Sequence, residues 1–549
     1  MKLVIVGGVA GGASAAARAR RLSEEAEIVL VERGPDVSFA NCGLPYYIGG
    51  MIEERSKLLV VTPQRMRERF QLDVRTRSEV VSIDRANKTV RIRDLAANRE
   101  YDESYDKLLL APGAAPLKPP IPGIDLPGVY TLRNLQDTDR IKGKIDAGVR
   151  RAVVVGAGFI GLELVENFVG LGIETTLVEL QDQVLPPLDR EMTTPLLEKL
   201  RSQGVRVLLG DSADGFTATD DGLLVRLKSG VEIPADMVAL GIGVRPENQL
   251  AVAAGLEVGP RGGIRVNEHQ QTTDPDVYAV GDAVETTDFV LQCPTQVPLA
   301  GPANRQGRIA ADHIFGRDSR YRGTQGTAVV GLFGMTAAMT GASEKVLQRV
   351  GRSYRMIYVH PADHAGYYPG AEQMTLKLLF DPESGRVLGA QGVGGAGVDK
   401  RIDVIAMAIQ GGMTVYDLEE AELAYAPQFG SAKDAVNMAG FVAAGLLRED
   451  HPQIDVAALE ALDPEARPLL VDVRTVEEYG RGHLPVAINI PVDELRQRSG
   501  ELPVDRPIVA YCQVGQRGYL ATRILLQSGR EVRNLSGGYK TWRLWHSEG

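Results

Sequence analysis

The sequence predicts an α/β protein assembled from several parallel-sheet units, and three observations carry that prediction. A β-branched run entering a glycine-rich turn occurs twice, at Val4-Ile5-Val6-Gly7-Gly8 and at Val153-Val154-Val155-Gly156-Ala157-Gly158. Each is followed by an Ala- or Leu-rich helical stretch, so each reads as the start of a βαβ unit and implies a parallel sheet. At 549 residues the chain is too long for one hydrophobic core and should divide into several domains.

In chain order, the first turn, Gly7-Gly8-Val9-Ala10-Gly11-Gly12, is irregular, with Val9 where the middle glycine of G-x-G-x-x-G should stand. Its support is contextual: a strand before it, an Ala-rich helix after it, and Glu32 at the end of the next strand. Leu108 to Gly113 ends a further strand, and the proline-rich stretch from Pro116 to Pro127 reads as a crossing between domains. The second turn is regular, since Gly156, Gly158 and Gly161 keep the full spacing. Such a turn lets a pyrophosphate approach unpaired N–H groups at a helix N-terminus. Glu179 closes the following strand, where a carboxylate accepts from a ribose 2′-hydroxyl, which favours NADH over NADPH. Two such sites in one chain suggest FAD at the first and NADH at the second.

After about Pro246, the run Thr273 to Asp282 is another strand leading to a Gly281-Asp282 turn, as though the chain returns to its first domain. Gly326 to Leu446 mixes β runs with a helical stretch, Arg401 to Gln410, and reads as a separate α/β unit. A polar linker, Arg448 to Pro452, introduces a last piece of domain size.

Composition narrows the functional classes. With 44% hydrophobic and 24% charged residues the chain reads as soluble and folded, and no apolar run is long enough to span a bilayer. A net charge of −10 argues against nucleic acid as the main partner. The three cysteines, Cys42, Cys293 and Cys512, lie too far apart for a disulfide framework or a zinc site, so no metal is expected. Free thiols and an N-terminus that reads as a strand rather than a leader point to the cytoplasm. On the same ground Asn534-Leu535-Ser536 is read as a chance match to a glycosylation site.

The segment Ser38-Phe39-Ala40-Asn41-Cys42-Gly43-Leu44-Pro45-Tyr46 is the candidate redox centre. A flavin passes two electrons to sulfur only if a thiol is held beside its ring, usually near a helix start that stabilises thiolate. No second cysteine lies nearby, so the partner sulfur is expected from a small molecule. An inert buried thiol is the commoner fate of a lone cysteine, but the flanking Asn, Gly and Pro mark a turn.

These features together resemble the coenzyme A-disulfide reductases of the pyridine nucleotide-disulfide oxidoreductase superfamily, over roughly Met1 to Leu446. The resemblance implies FAD held by Gly7, Gly12, Glu32, Gly281 and Asp282, and Cys42 cycling between thiolate and a mixed disulfide with coenzyme A. It also implies a homodimer in which Tyr367 and Tyr425 from one subunit serve the redox thiol of the other. Their phenols would protonate a departing thiolate. Ser14, Arg18, Arg21 and Asn41 lie where coenzyme A would run, although the helix arginines equally suit a solvated face. A related NADH oxidase or peroxidase carries a histidine at the position of Ala10, which argues against that reading. A sulfur-sensing protein without turnover is a further alternative.

From Ile454 to Trp545 the chain resembles a rhodanese domain. Val509-Ala510-Tyr511-Cys512 delivers a cysteine into a tight loop before a helix, where inward N–H groups stabilise a thiolate or persulfide. By that resemblance Cys512 carries sulfane sulfur and Arg517 adds positive charge. Four residues separate the two, one fewer than in phosphatases of this fold, which suits the smaller sulfur. Cys293 is read as structural. The implied domains are FAD-binding (1–115 and 247–325), NAD(H)-binding (116–246), dimerisation (326–446), a linker (447–453) and rhodanese (454–549). The expected reaction is NADH-dependent reduction of coenzyme A persulfide, polysulfide or coenzyme A disulfide.

Overall fold

The computed structural model describes residues 1–463 and 467–547. The chain forms two compact units, one of residues 1–180 and 204–326, the other of residues 181–203 and 327 onward.

The first unit holds two parallel five-stranded sheets. In one, the order is Val277–Ala279, Lys107–Leu110, Lys2–Val6, Glu27–Val31 and Asp73–Arg75. Leu3, Val4 and Ile5 are fully buried, as a strand covered on both faces requires. Its edge strand comes from far along the chain, because Val277 pairs with Leu108. Helix Ala10–Leu22 packs against helix Ala300–Ile314 closely enough that a Cβ on Gly307 would lie 2.2 Å from the Gly11 carbonyl oxygen. The other sheet runs Arg206–Leu209, Glu174–Glu179, Arg151–Val155, Met237–Leu240 and Val129–Thr131. A two-stranded antiparallel crossing, Ala114–Pro116 with Val244–Pro246, carries the chain out to this sheet and back.

The second unit contains an antiparallel five-stranded sheet in the order Ala328–Leu332, Met335–Gly341, Val387–Gly394, Met374–Phe380 and Arg355–Val359. Helix Val398–Gly411 contains the stretch expected to be helical and extends it at both ends. A parallel sheet follows, in the order Gln453–Ile454, Val532–Leu535, Ile508–Tyr511, Leu469–Asp472 and Ile488–Asn489. The α/β class and its successive sheets match the architecture read from the sequence.

One segment departs from the sequence-based domains. Residues 181–203, expected within the NAD(H) domain, belong to the second unit. A charge cluster is among the contacts that tie it there: Lys377 Nζ, fully buried, lies 2.9 Å from Asp189, 2.7 Å from Glu191 and 2.7 Å from Glu344. These three carboxylates are also the one grouping among the described residues with the spacing of a metal site. The Lys377 ammonium sits among them. The same helix, Arg190–Ser202, meets the C-terminal helix Gly538–His546, where Thr194 Oγ1 donates to the Leu544 carbonyl at 2.8 Å. His360 Nε2 lies 2.8 Å from Thr541 Oγ1, and Ser536 Oγ accepts from Tyr358 N at 3.3 Å, so the last domain is docked on the antiparallel sheet.

Candidate active site

The two glycine turns are built alike. Gly7 and Gly156 have φ of +96° and +103°, and their added Cβ atoms would lie 2.1 Å from the Ala111 oxygen and 2.5 Å from the Gly241 oxygen. A Cβ on Gly12 would meet the Gly7 oxygen at 1.9 Å, and one on Gly161 the Gly156 oxygen at 1.9 Å. These four glycines are therefore required by the chain's own packing. Gly158 is different, since nothing stands within 4 Å of where its Cβ would be. That open space, at the head of helix Phe159–Gly170, fits a pyrophosphate approaching the backbone. At the equivalent place in the first turn stands Val9.

Each turn is tied to the carboxylate at the end of its second strand. Glu32 Oε2 accepts from Gly8 N at 2.8 Å and its Oε1 from Gly34 N at 2.7 Å, while Glu179 Oε2 accepts from Ala157 N at 2.7 Å. Burial raises the Glu32 carboxyl despite these donors. Gly281, at φ +81°, donates to Gln306 Oε1 at 2.8 Å and turns the chain so that Asp282 follows, its carboxyl also raised by burial.

Cys42 lies exposed in a single 3-10 turn, Asn41–Gly43, ahead of the short helix Leu44–Ile48. The expected thiolate stabilisation is not supplied here by the protein's charges. Partial burial raises the thiol, and the carboxylates of Glu163 and Asp282 push it the same way. Tyr46 Oη donates to Glu163 Oε1 at 3.5 Å. Burial and Glu163 push Tyr46 up to about 12, and burial pushes Glu163 up to about 7. Glu163 thus exchanges its proton near neutrality beside the candidate redox thiol. The sequence reading did not single out Glu163, although it stands two residues beyond Gly161.

The residues expected along a coenzyme A path are differently committed. Arg18 pairs with Asp312 at 2.6 Å, and Ser14 donates to Asn304 Oδ1, so both are engaged with helix Ala300–Ile314. Arg21 and Asn41 are exposed. Arg20 is folded back onto the carbonyls of Ser23, Glu24, Phe70 and Gln71.

In the second unit, Tyr367 and Tyr425 are brought together although 58 residues apart, with their Oη atoms at 2.7 Å. Both are exposed. Three residues before Tyr367, His364 Nδ1 lies 2.7 Å from Asp363 Oδ2, and that carboxylate raises the imidazole.

Cys512 follows strand Ile508–Tyr511 and is buried. Gly515, at φ +98°, donates its N–H to Cys512 Sγ at 3.2 Å ahead of helix Gln516–Gln527. Arg517 is clamped by Glu478 through two 2.7 Å bonds, and Arg517 holds the Glu478 carboxyl down to about 2. Cys293 is half-buried, and its carbonyl accepts from Asp288 N at 2.8 Å.

Comparison with known proteins gives the chain its family and its domains. The model of the pyridine nucleotide-disulphide oxidoreductase family matches residues 1–307, and the family's dimerisation-domain model matches 327–436. The chain belongs to the pyridine nucleotide-disulphide oxidoreductase family. The rhodanese-like domain model matches residues 455–544. Coenzyme A disulfide reductase of Staphylococcus haemolyticus is 37% identical over 447 residues, 81% of this chain and 100% of that protein. The reduced CoADR-RHD of Bacillus anthracis is 50% identical with a TM-score of 0.97, over 100% of this chain and 98% of that one. The NAD-dependent persulfide reductase of A. fulgidus is 38% identical with a TM-score of 0.92, over 99% of this chain and 100% of that one. This pyridine nucleotide-disulphide oxidoreductase is thus an oxidoreductase of a family that uses FAD and NAD(H), with a rhodanese domain at its C-terminal end.

Proposed function

We propose that the protein reduces coenzyme A persulfide or polysulfide at the expense of NADH, through Cys42, and that Cys512 carries sulfane sulfur to or from that reaction. The observation that carries the reading is the pairing of two free cysteines in one chain. Cys42 stands without a second thiol beside Glu163, and Cys512 lies in a loop whose Gly515 N–H points at its sulfur.

In the proposed cycle Cys42 thiolate attacks the coenzyme A-side sulfur of the persulfide. A Cys42 to coenzyme A disulfide forms, the persulfide S–S bond breaks, and hydrosulfide leaves. Bound FAD supplies two-electron transfer between the nicotinamide and sulfur. NADH plus the mixed disulfide then gives NAD⁺, Cys42 thiolate and coenzyme A thiol, so one hydride is spent per turnover. Glu163, poised near 7, exchanges the proton that the Cys42 site needs. Tyr367 and Tyr425, sharing a hydrogen bond, would protonate the departing coenzyme A thiolate in the partner subunit of a homodimer. Gly7, Gly12, Glu32 and Asp282 would hold FAD, and Gly156, Gly158, Gly161 and Glu179 would hold NADH. Asn41 and Arg21 remain candidates along the coenzyme A path, together with Ser14 and Arg18 if they leave Asn304 and Asp312.

A second reading, coenzyme A disulfide as the main substrate, is favoured by the Staphylococcus relative. Coverage does not separate the two readings, since the CoADR-RHD match spans 100% of this chain and the persulfide reductase match 99%. The fused rhodanese-like domain, as a sulfur carrier, is what puts persulfide first in this proposal. Steady-state NADH consumption with each substrate, with hydrosulfide recorded, separates them: faster use of persulfide with hydrosulfide released supports this reading, and preference for disulfide without hydrosulfide overturns it.

A further inference from the structure

A cavity of about 280 Å³ lies in the second unit between the docked rhodanese domain and the antiparallel sheet. It is lined by Gln513, the residue after Cys512, by Lys540, Arg543 and Ser547 of the C-terminal segment, and by Glu198 and Gln373 opposite. Among the described residues neither Lys540 nor Arg543 has a carboxylate within ion-pair distance, and the partner of Lys540 Nζ is the neutral Gln373 Oε1 at 3.3 Å. Burial without a counter-ion lowers the Lys540 ammonium below its ordinary value. The one carboxylate in the lining, Glu198, accepts from Ser547 Oγ at 2.9 Å. A half-buried cation and a second, exposed one at its side thus face this space, and Glu198, engaged by Ser547, is the one carboxylate among its described lining residues, so a small anion entering it would meet two cations.

The cavity stands at the small end of pockets that hold organic ligands, which run from roughly 300 Å³ upward, and its two cations suit a compact anion. The position gives binding a consequence for the rhodanese loop. Tyr539 N donates to the Cys512 carbonyl at 2.8 Å and Lys540 N to the Gln513 carbonyl at 2.9 Å, so the turn presenting Lys540 also holds the loop of Cys512.

We propose that the Lys540–Arg543 cavity is a binding site for a small tetrahedral dianion, of the thiosulfate, sulfate or phosphate class, which braces the Cys512 loop from behind. This is independent of the substrate assigned to Cys42.

The two tryptophans, Trp542 and Trp545, both lie on the helix that lines the site, so their fluorescence reports on it. Full-length protein carrying Cys512→Ser, which forms no persulfide at that position, is titrated with sulfate, thiosulfate and phosphate at constant ionic strength set with chloride. The expected result is a saturable change weakened about tenfold or more by Lys540→Gln and by Arg543→Gln. Arg543 is exposed, so its substitution tests the site even if Lys540→Gln impairs folding. A thiosulfate preference would identify a sulfur-donor site, and equal binding of phosphate a general anion brace. Absence of saturable binding, or binding unchanged by both substitutions, overturns the proposal.

Discussion

Two buried neutral histidines, His360 against the docked helix and His451 inside the last domain, make that domain and its docking sensitive to acid. His360 sits between Thr375 Oγ1 at 3.0 Å and Thr541 Oγ1 at 2.8 Å, and burial pushes it down to about 3. His451 Nε2 accepts from Asn534 Nδ2 at 2.8 Å, and burial pushes it down to about 4. Both bind a proton near the ordinary histidine value of about 6.5 only when unfolded. Their contribution is therefore complete above that value and is lost as pH falls toward the folded-state values. Linkage gives a loss of about 1.4 kcal/mol per pH unit for each histidine in this window, or about 2 kcal/mol each between pH 7 and pH 5. His364, raised by Asp363, has the opposite sign and gains stability as pH falls. The test is therefore a comparison of wild type with His360→Gln and with His451→Gln. Urea midpoints are followed through the fluorescence of Trp542 and Trp545, both on the docking helix. Each variant should flatten the pH dependence between pH 6.5 and 5 by about 1.4 kcal/mol per unit. Slopes parallel to wild type would refute the claim that these histidines are buried neutral.

The remaining predictions concern named side chains. Lys377→Met should destabilise the second unit by about 3–5 kcal/mol in urea unfolding, because it strands two buried carboxylates, Asp189 and Glu191, beside the half-buried Glu344. A loss below about 1 kcal/mol would show that water reaches the cluster. Gly158→Ala should fold normally but bind NADH about tenfold or more weakly, since its Cβ enters open space, whereas Gly161→Ala should cost about 2 kcal/mol or more of stability against the Gly156 carbonyl. Calorimetric titration and thermal melting distinguish the two. Glu163→Gln removes a negative charge from beside Cys42, so the pH profile of Cys42 alkylation by iodoacetamide should move to lower pH. An unchanged or upward-shifted profile would contradict the electrostatics described.

What the sequence made legible was local. Strand, turn and helix follow one another within a few residues at Gly7 and at Gly156, so each pattern names its own structure. The Cys512 loop is readable for the same reason, being a strand end, a glycine with positive φ and a helix start. What remained hidden depends on residues far apart in the chain. Tyr46 and Glu163 meet across 117 positions and Lys377 meets Glu191 across 186. Nothing in either local sequence announces the meeting. The helix Arg190–Ser202 reads as part of the nucleotide domain it interrupts, and only contacts distant in the chain, the Lys377 cluster and the Thr194 bond to Leu544, show where it packs. Arg18 illustrates the converse: helical spacing marks it as a candidate phosphate ligand or a solvated charge, and Asp312, 294 positions away, makes it an ion pair.

The central claim, that Cys42 takes sulfur chemistry through a mixed disulfide with coenzyme A, is tested most directly by intact-protein mass spectrometry after mixing NADH-reduced protein with one equivalent of coenzyme A persulfide. The account predicts one coenzyme A added by disulfide at Cys42, one hydrosulfide released, and neither event in Cys42→Ser protein. Hydrosulfide released at the wild-type rate from the Cys42→Ser protein, or coenzyme A found on Cys512 instead, would contradict it.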